Sequence, residues 1–209
     1  MQFIHWWKEV FLAIAVTGTV FIIWDVIFTS RGIWGFNERY LTGIDIVNLP
    51  LEEWLFFICI PYASIFTHYA FQFFLPKVRL AHKLTNSITI VLALVLATVI
   101  LFNTEKAYTF YNYSLLLLIL LFSLFTQEKQ LSVFYITFLI ILIPFFIVNG
   151  ILTGSFIHEE VVWYNNAENL GIRLGTIPVE DAGYAFSMIF MSILLIERFK
   201  KIFHPNESL

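Results

Sequence analysis

Two short acidic motifs carry the residue types and spacing needed to move protons. Glu52 and Glu53 follow Pro50 in Pro-Leu-Glu-Glu, and Glu180 and Asp181 follow Pro178 in Pro-Val-Glu-Asp. Proline costs no hydrogen bond at the first turn of a helix, so each motif predicts a helix start. The acids then lie in the first turn, near the partial positive end of the helix dipole. One such motif is explained by helix-start chemistry at a wet interface. Two copies in a very apolar chain favour a functional role, because acids at membrane depth are costly. Four carboxyl groups in a small volume cannot all ionise, which leaves a protonated acid beside an ionised base. That combination can add and remove a proton without a cofactor; which residue plays which part stays open.

The elements that must position these acids are membrane helices. The 209-residue chain is 59% hydrophobic and only 13% charged, with a mean hydropathy of +0.82. A soluble domain would carry about 25% charge. Six apolar spans are expected, at Val10–Phe28, Trp54–Leu75, Ile88–Phe102, Tyr108–Phe125, Leu131–Val148 and Val179–Phe199, each near the length of about 20 residues that a bilayer requires. Open sheet edges cannot sit in lipid, and the spans lack period-2 alternation. The expected fold is all-α, a polytopic transmembrane bundle of about six helices. Its partners are then the lipid bilayer and apolar ligands; a net charge of −3 gives no reason to expect nucleic acid. Cys59 is the only cysteine, which excludes an intrachain disulfide and a thiolate metal cluster. The first apolar run is longer than a signal-peptide core and is read as a retained helix.

Two connections are long, Thr29–Glu53 and Asn149–Pro178, and long connections in compact domains are usually functional. Lys8, Lys77, Arg79, Lys83, Lys129, Arg198, Lys200 and Lys201 fall on the side of the termini, against Arg31, Arg39, Lys106 and Arg173 on the other. The positive-inside rule therefore predicts cytoplasmic termini and places the chain in the cell (cytoplasmic) membrane.

The two connections are similar to each other. Without a gap, Gly43, Ile44, Pro50 and Glu52 align with Gly171, Ile172, Pro178 and Glu180. Asn37 meets Asn165 in the same register, and Trp34 meets Trp163 after one residue of slippage. In the preceding helices, Asp25 and Thr29 lie opposite Asn149 and Thr153. Spans one and two thus correspond to spans five and six. Four crossings separate equivalent spans, so the two repeats are parallel in orientation and both acidic motifs lie on one face. The expected division is a first repeat over 1–80, a linking helix over 81–107 and a second repeat over 108–209. Span four has no counterpart before span one, so a further helix from a preceding segment or another subunit is expected there.

Aromatic residues make up 19% of the chain. Most suit lipid contact and the interfacial belt, but Trp24, Trp34, Phe36, Trp54, Phe56, Phe57, Trp163, Tyr164 and Tyr184 cluster around the motifs. Each aromatic face stabilises a cation by about 0.5–2 kcal/mol, which suits carbocation chemistry on an apolar substrate. Asp25, inside the first span, is read either as a site residue or as a hydrogen-bond partner of a neighbouring helix. His68 lies about 24 Å along its helix from Glu52 and outside the same site. His158-Glu159-Glu160 lacks a second histidine at ligand spacing, and no metal is expected. Pro61 and Pro144 are expected to kink their helices and shape a cavity for a long ligand. There is no dinucleotide, P-loop or haem motif.

The stretches Trp34-Gly-Phe-Asn37, Tyr40-Leu-Thr-Gly-Ile44, Asn48-Leu-Pro-Leu-Glu-Glu-Trp-Leu-Phe-Phe57 and Ile177-Pro-Val-Glu-Asp181 resemble the heterodimeric-type lycopene cyclases, in the form where two halves are fused. The resemblance covers nearly the whole chain. It implies a flavin-free membrane enzyme that isomerises lycopene through γ-carotene to β-carotene, with no cofactor. Carried over by motif, the implied site is Pro50, Glu52, Glu53, Pro178, Glu180 and Asp181, with Asp25, Trp34, Asn37, Trp54, Phe56, Phe57, Asn165 and Tyr184 lining or shaping it. A homo-oligomer or association with other carotenoid-pathway enzymes is a further expectation. The rival readings are a small transporter or channel with acids on its path, which requires polar residues through the whole depth, and a non-catalytic membrane subunit.

Overall fold

The computed structural model describes residues 3–126 and 129–204. Among the described residues, six helices are long and apolar enough to cross a membrane. They are α1 (Trp7–Ser30), α2 (Leu51–Phe74), α3 (His82–Phe102), α4 (Ala107–Thr126), α5 (Gln130–Leu152) and α6 (Glu180–Phe203). The all-α bundle expected from the sequence is therefore the fold. Several ends extend past the apolar spans because a helix continues beyond the hydrocarbon: α3 begins at His82, six residues before Ile88, and α1 begins at Trp7.

α6 is the hub, packed against α1, α2, α4 and α5. Its buried face carries Ala185, Phe186, Ile189, Phe190, Ile193 and Ile196, which join Phe134, Phe138, Leu116 and Leu120 in the main core. Lipid tails are as apolar as leucine, so such helices associate through close packing and small residues. Gly183 supplies one approach: a Cβ there would lie 3.2 Å from the Tyr113 ring and 3.4 Å from Leu116, on α4.

The long connections are folded rather than structureless. Each holds a two-residue hairpin, β2 (Asp45–Ile46) with β3 (Leu49–Pro50) and β5 (Arg173–Leu174) with β6 (Ile177–Pro178). Their registers match at 128 residues' separation: Asp45 faces Pro50 as Arg173 faces Pro178. Pro50 and Pro178 therefore close hairpins and do not occupy the first helical turn. Pro50 is the N-cap of α2, and Pro178 precedes the Val179 N-cap of α6. Proline is tolerated there because a strand end needs no donated ladder bond. At the matching turn positions Gly175 has φ +67° and Val47 has φ +63°, so the first hairpin places a β-branched residue in the left-handed region that glycine takes in the second.

The two connections also pair with each other. Strands β1 (Trp34–Phe36) and β4 (Val162–Tyr164) are antiparallel, with Gly35 opposite Trp163. Asn37 N donates to Val161 O at 2.8 Å and Asn165 N donates to Ile33 O at 2.9 Å. These bonds are interchanged by a local two-fold that passes between Gly35 and Trp163. Both acidic motifs are thereby held at one end of the bundle.

Candidate active site

A cavity of about 190 Å³ lies at that end of the bundle. Its walls come from α2, α5 and α6, with Asp25 of α1, Tyr108 of α4 and strands β1 and β4 at the closed end. The carboxyl groups lie at the strand end, and further along the helices the lining holds Ile60, Ser64, Thr67, Ile141, Pro144, Phe145, Met188 and Ile189. The lining is mainly apolar, with the carboxyl groups of Asp25, Glu53 and Asp181 among it.

The two acids of each motif do different things. Glu52 accepts the Thr42 N–H at 2.8 Å, and Glu180 accepts the Leu170 N–H at 2.7 Å. Thr42 and Leu170 are again 128 residues apart. The first glutamate of each motif thus ties its own connection to the helix start. Glu180 is fully buried and also accepts Thr109 Oγ1 at 2.7 Å, while Asn112 Nδ2 donates to its backbone carbonyl at 2.7 Å. Neither Glu52 nor Glu180 lines the cavity; Glu53 and Asp181 do.

Asp181 is held by two phenols. Tyr108 donates to Oδ1 at 2.6 Å and Tyr164 donates to Oδ2 at 2.9 Å. Both oxygens are then hydrogen-bond acceptors, the arrangement suited to a carboxylate. Tyr164 lies outside the helices, and enclosure together with the Asp181 charge pushes its phenol well above the ordinary range. It therefore remains a donor across physiological pH.

Glu53 has a different neighbour. Its carboxyl sits beside that of Asp25, within hydrogen-bonding reach. Asp25 Oδ1 accepts Trp34 Nε1 and, at 3.2 Å, Thr29 Oγ1. Asp25 Oδ2 is buried and accepts from no placed donor. Two adjacent carboxyls in a low dielectric favour one shared proton over two charges.

Aromatic rings complete the floor. Trp34 packs edge-on to Tyr108 at 5.0 Å between centroids and lies 6.2 Å from both Tyr164 and Tyr184. Trp34, Phe56 and Tyr184 line the cavity. Other expected residues lie outside it. Asn37 and Asn165 cap turns, accepting from Arg39 N and Ala167 N. Trp54 donates to Ile46 O, and Phe57 packs with Phe21 and Met188. Pro50 and Pro178 shape the hairpins. Trp163 lies over Gly35, where a Cβ would run into its ring. Trp34 and Trp163 thus point to opposite faces of the strand pair, with Trp34 opposite Tyr164. His68 is buried on Thr137 Oγ1 at 2.8 Å, away from the cavity lining. Tyr108 was not singled out from sequence, since a tyrosine at a span end is the ordinary mark of an interface.

Similarity to known proteins agrees with this geometry. The family model described as lycopene cyclase matches residues 2–71 and 105–199. The chain belongs to the lycopene cyclase family. A bifunctional lycopene cyclase/phytoene synthase of Phycomyces blakesleeanus is 44% identical over 62 residues, covering 29% of this chain and 10% of that protein. The chain thus spans only a small part of the length of this curated relative. No solved structure matches it. The cyclase family match leaves out residues 72–104, which hold all of α3, while both acidic motifs, α4 and the strands fall inside it.

Proposed function

We propose that this cyclase closes the end rings of lycopene, through γ-carotene to β-carotene, with the Asp25–Glu53 pair as acid and Asp181 as base. The observation that carries this reading is the unequal environment of the two cavity acids. Glu53 sits beside the Asp25 carboxyl, which keeps one buried oxygen without a hydrogen-bond partner, while both oxygens of Asp181 already accept phenols. Glu53 delivers its proton to the terminal double bond of the linear polyene. The resulting tertiary cation is attacked by the neighbouring alkene, which forms the ring carbon–carbon bond. Asp181 removes a proton from the ring carbon next to the cation, and the electron pair of that C–H bond becomes the ring double bond. Proton in equals proton out, so the product is an isomer and no redox partner is consumed. The proton moves from Glu53 to Asp181 and must return between turnovers. Trp34, Phe56 and Tyr184 present ring faces to the cation, each contributing about 0.5–2 kcal/mol. Glu52 and Glu180 act indirectly, by holding the connections that carry Trp34 and Tyr164.

The expected setting is a cytoplasmic membrane with both termini inside. The two motif-bearing units are read as a duplicated pair that has diverged, one half recruiting Asp25 and the other Tyr108. Expression in a lycopene-accumulating bacterial host tests the function. Chromatography with mass detection is expected to show new pigments with lycopene's mass and shorter-wavelength spectra. Unaltered lycopene beside folded, membrane-inserted protein would overturn the reading.

A further inference from the structure

The cavity is far smaller than a forty-carbon polyene. An engineered cavity of about 150 Å³ holds one benzene, and 190 Å³ here matches a single ring-sized end group. The rest of the substrate has to leave the cavity, and the lining shows where. One stripe of α2, with Phe56, Ile60, Ala63 and Thr67, faces a stripe of α5, with Ile141, Pro144 and Val148. Along this seam Ala63, Pro144 and Val148 are exposed on the lipid-facing surface while also lining the cavity. The cavity therefore opens sideways into the bilayer. Each wall carries a proline inside its helix, Pro61 in α2 and Pro144 in α5. Proline removes one helical hydrogen bond and kinks the axis, and Ala63 supplies the smallest side chain on the α2 wall.

We propose that the α2–α5 seam is the lateral portal for the polyene, with Ala63 as the residue that sets its width. The inference rests on the proposed carotenoid substrate. One end group occupies the acidic floor while the conjugated chain lies in the seam and continues into lipid. Each ring is then closed in a separate binding event, and the second requires the molecule to withdraw and reinsert by its other end. The monocyclic product leaves the portal before the bicyclic product forms.

The test uses the full chain in native membranes. Cys59→Ser removes the native thiol, Ala63→Cys places one in the seam, and Ile58→Cys places a control on the opposite, lipid-exposed face of α2. A bulky methanethiosulfonate at position 63 is expected to slow ring closure by about a hundredfold, the scale of a small misplacement at a reacting centre. A reducing thiol restores the rate, which separates blockage from unfolding, and the same adduct at position 58 leaves the rate unchanged. Lycopene in the membrane is expected to slow labelling at position 63 and not at 58, and this readout does not depend on turnover. Full activity with the bulky adduct at 63, or labelling there that lycopene does not slow, would overturn the portal. Failure of the unlabelled protein to cyclise lycopene, with protection intact, would fall on the proposed reaction instead.

Discussion

Replacing Asp181 by asparagine should remove activity while leaving the protein folded, and the same change one residue earlier should not. Asparagine keeps the shape of Asp181 but turns one oxygen into an N–H₂ donor. One of the two phenols that donate at 2.6 and 2.9 Å then loses its acceptor. Leaving one buried donor unsatisfied costs about 1–3 kcal/mol of stability, a loss that a bundle of this size can absorb. The chemical loss is larger, because a positioned base contributes about 10²–10⁴-fold. That factor corresponds to about 2.7–5.4 kcal/mol in the barrier. At Glu180, glutamine retains the Oε1 that accepts both Thr109 and Leu170. Its rate per folded molecule is expected to fall by less than about tenfold, well under the loss of a base. The assay is pigment conversion in isolated membranes, normalised to folded protein from fluorescence-detected size exclusion. A Glu180→Gln variant as inactive as Asp181→Asn, at equal folded yield, would refute the division of labour within the motif. So would an active Asp181→Asn.

Glu180→Ala is expected to lower folded yield and thermal stability, because it strands the buried Thr109 hydroxyl and Leu170 N–H, at about 1–3 kcal/mol each. A Tm scan in detergent against Glu180→Gln measures this. Val47→Gly should raise stability by about 0.5–1 kcal/mol, since glycine adopts the left-handed backbone that valine resists; an unchanged or lower Tm contradicts the strained turn. The Tyr164 phenol is raised well above 10.0 in the folded state. Its contribution to stability is fully present below pH about 10 and is lost as pH rises through the raised value. Tyr164→Phe is therefore expected to lower stability at pH 8 and to abolish this alkaline loss, as followed by thermal unfolding across pH.

The bundle was legible from the sequence because hydropathy and helix length are read directly from composition. The convergence of the two motifs at one end of the bundle was legible too, since an even number of crossings brings both to one face whichever way the chain is oriented. What sequence could not separate was Glu52 from Glu53, or Glu180 from Asp181. Adjacent residues in a first turn differ by about 100° around the helix, and only the packed connection shows which one meets a backbone N–H. The prolines were placed within the helix start because Pro-x-Glu-Glu reads as a first turn; a two-residue hairpin ending on the proline leaves no hydropathy signal. Tyr108 was hidden because its link to Asp181 spans 73 residues. Trp34 lines the cavity whereas Trp163 stands opposite Gly35, because a one-residue slip in a strand reverses the face.

The central claim is that ring closure uses a proton from an exchangeable protein acid and returns a different proton to the protein. The most direct measurement is conversion of unlabelled lycopene by membranes equilibrated in D₂O, followed by mass analysis of the products. The account predicts one deuterium per ring closed, so one in γ-carotene and two in β-carotene, with none entering unreacted lycopene. Cyclic products free of deuterium would contradict it, because the proton that opens the reaction would then not have come from Glu53.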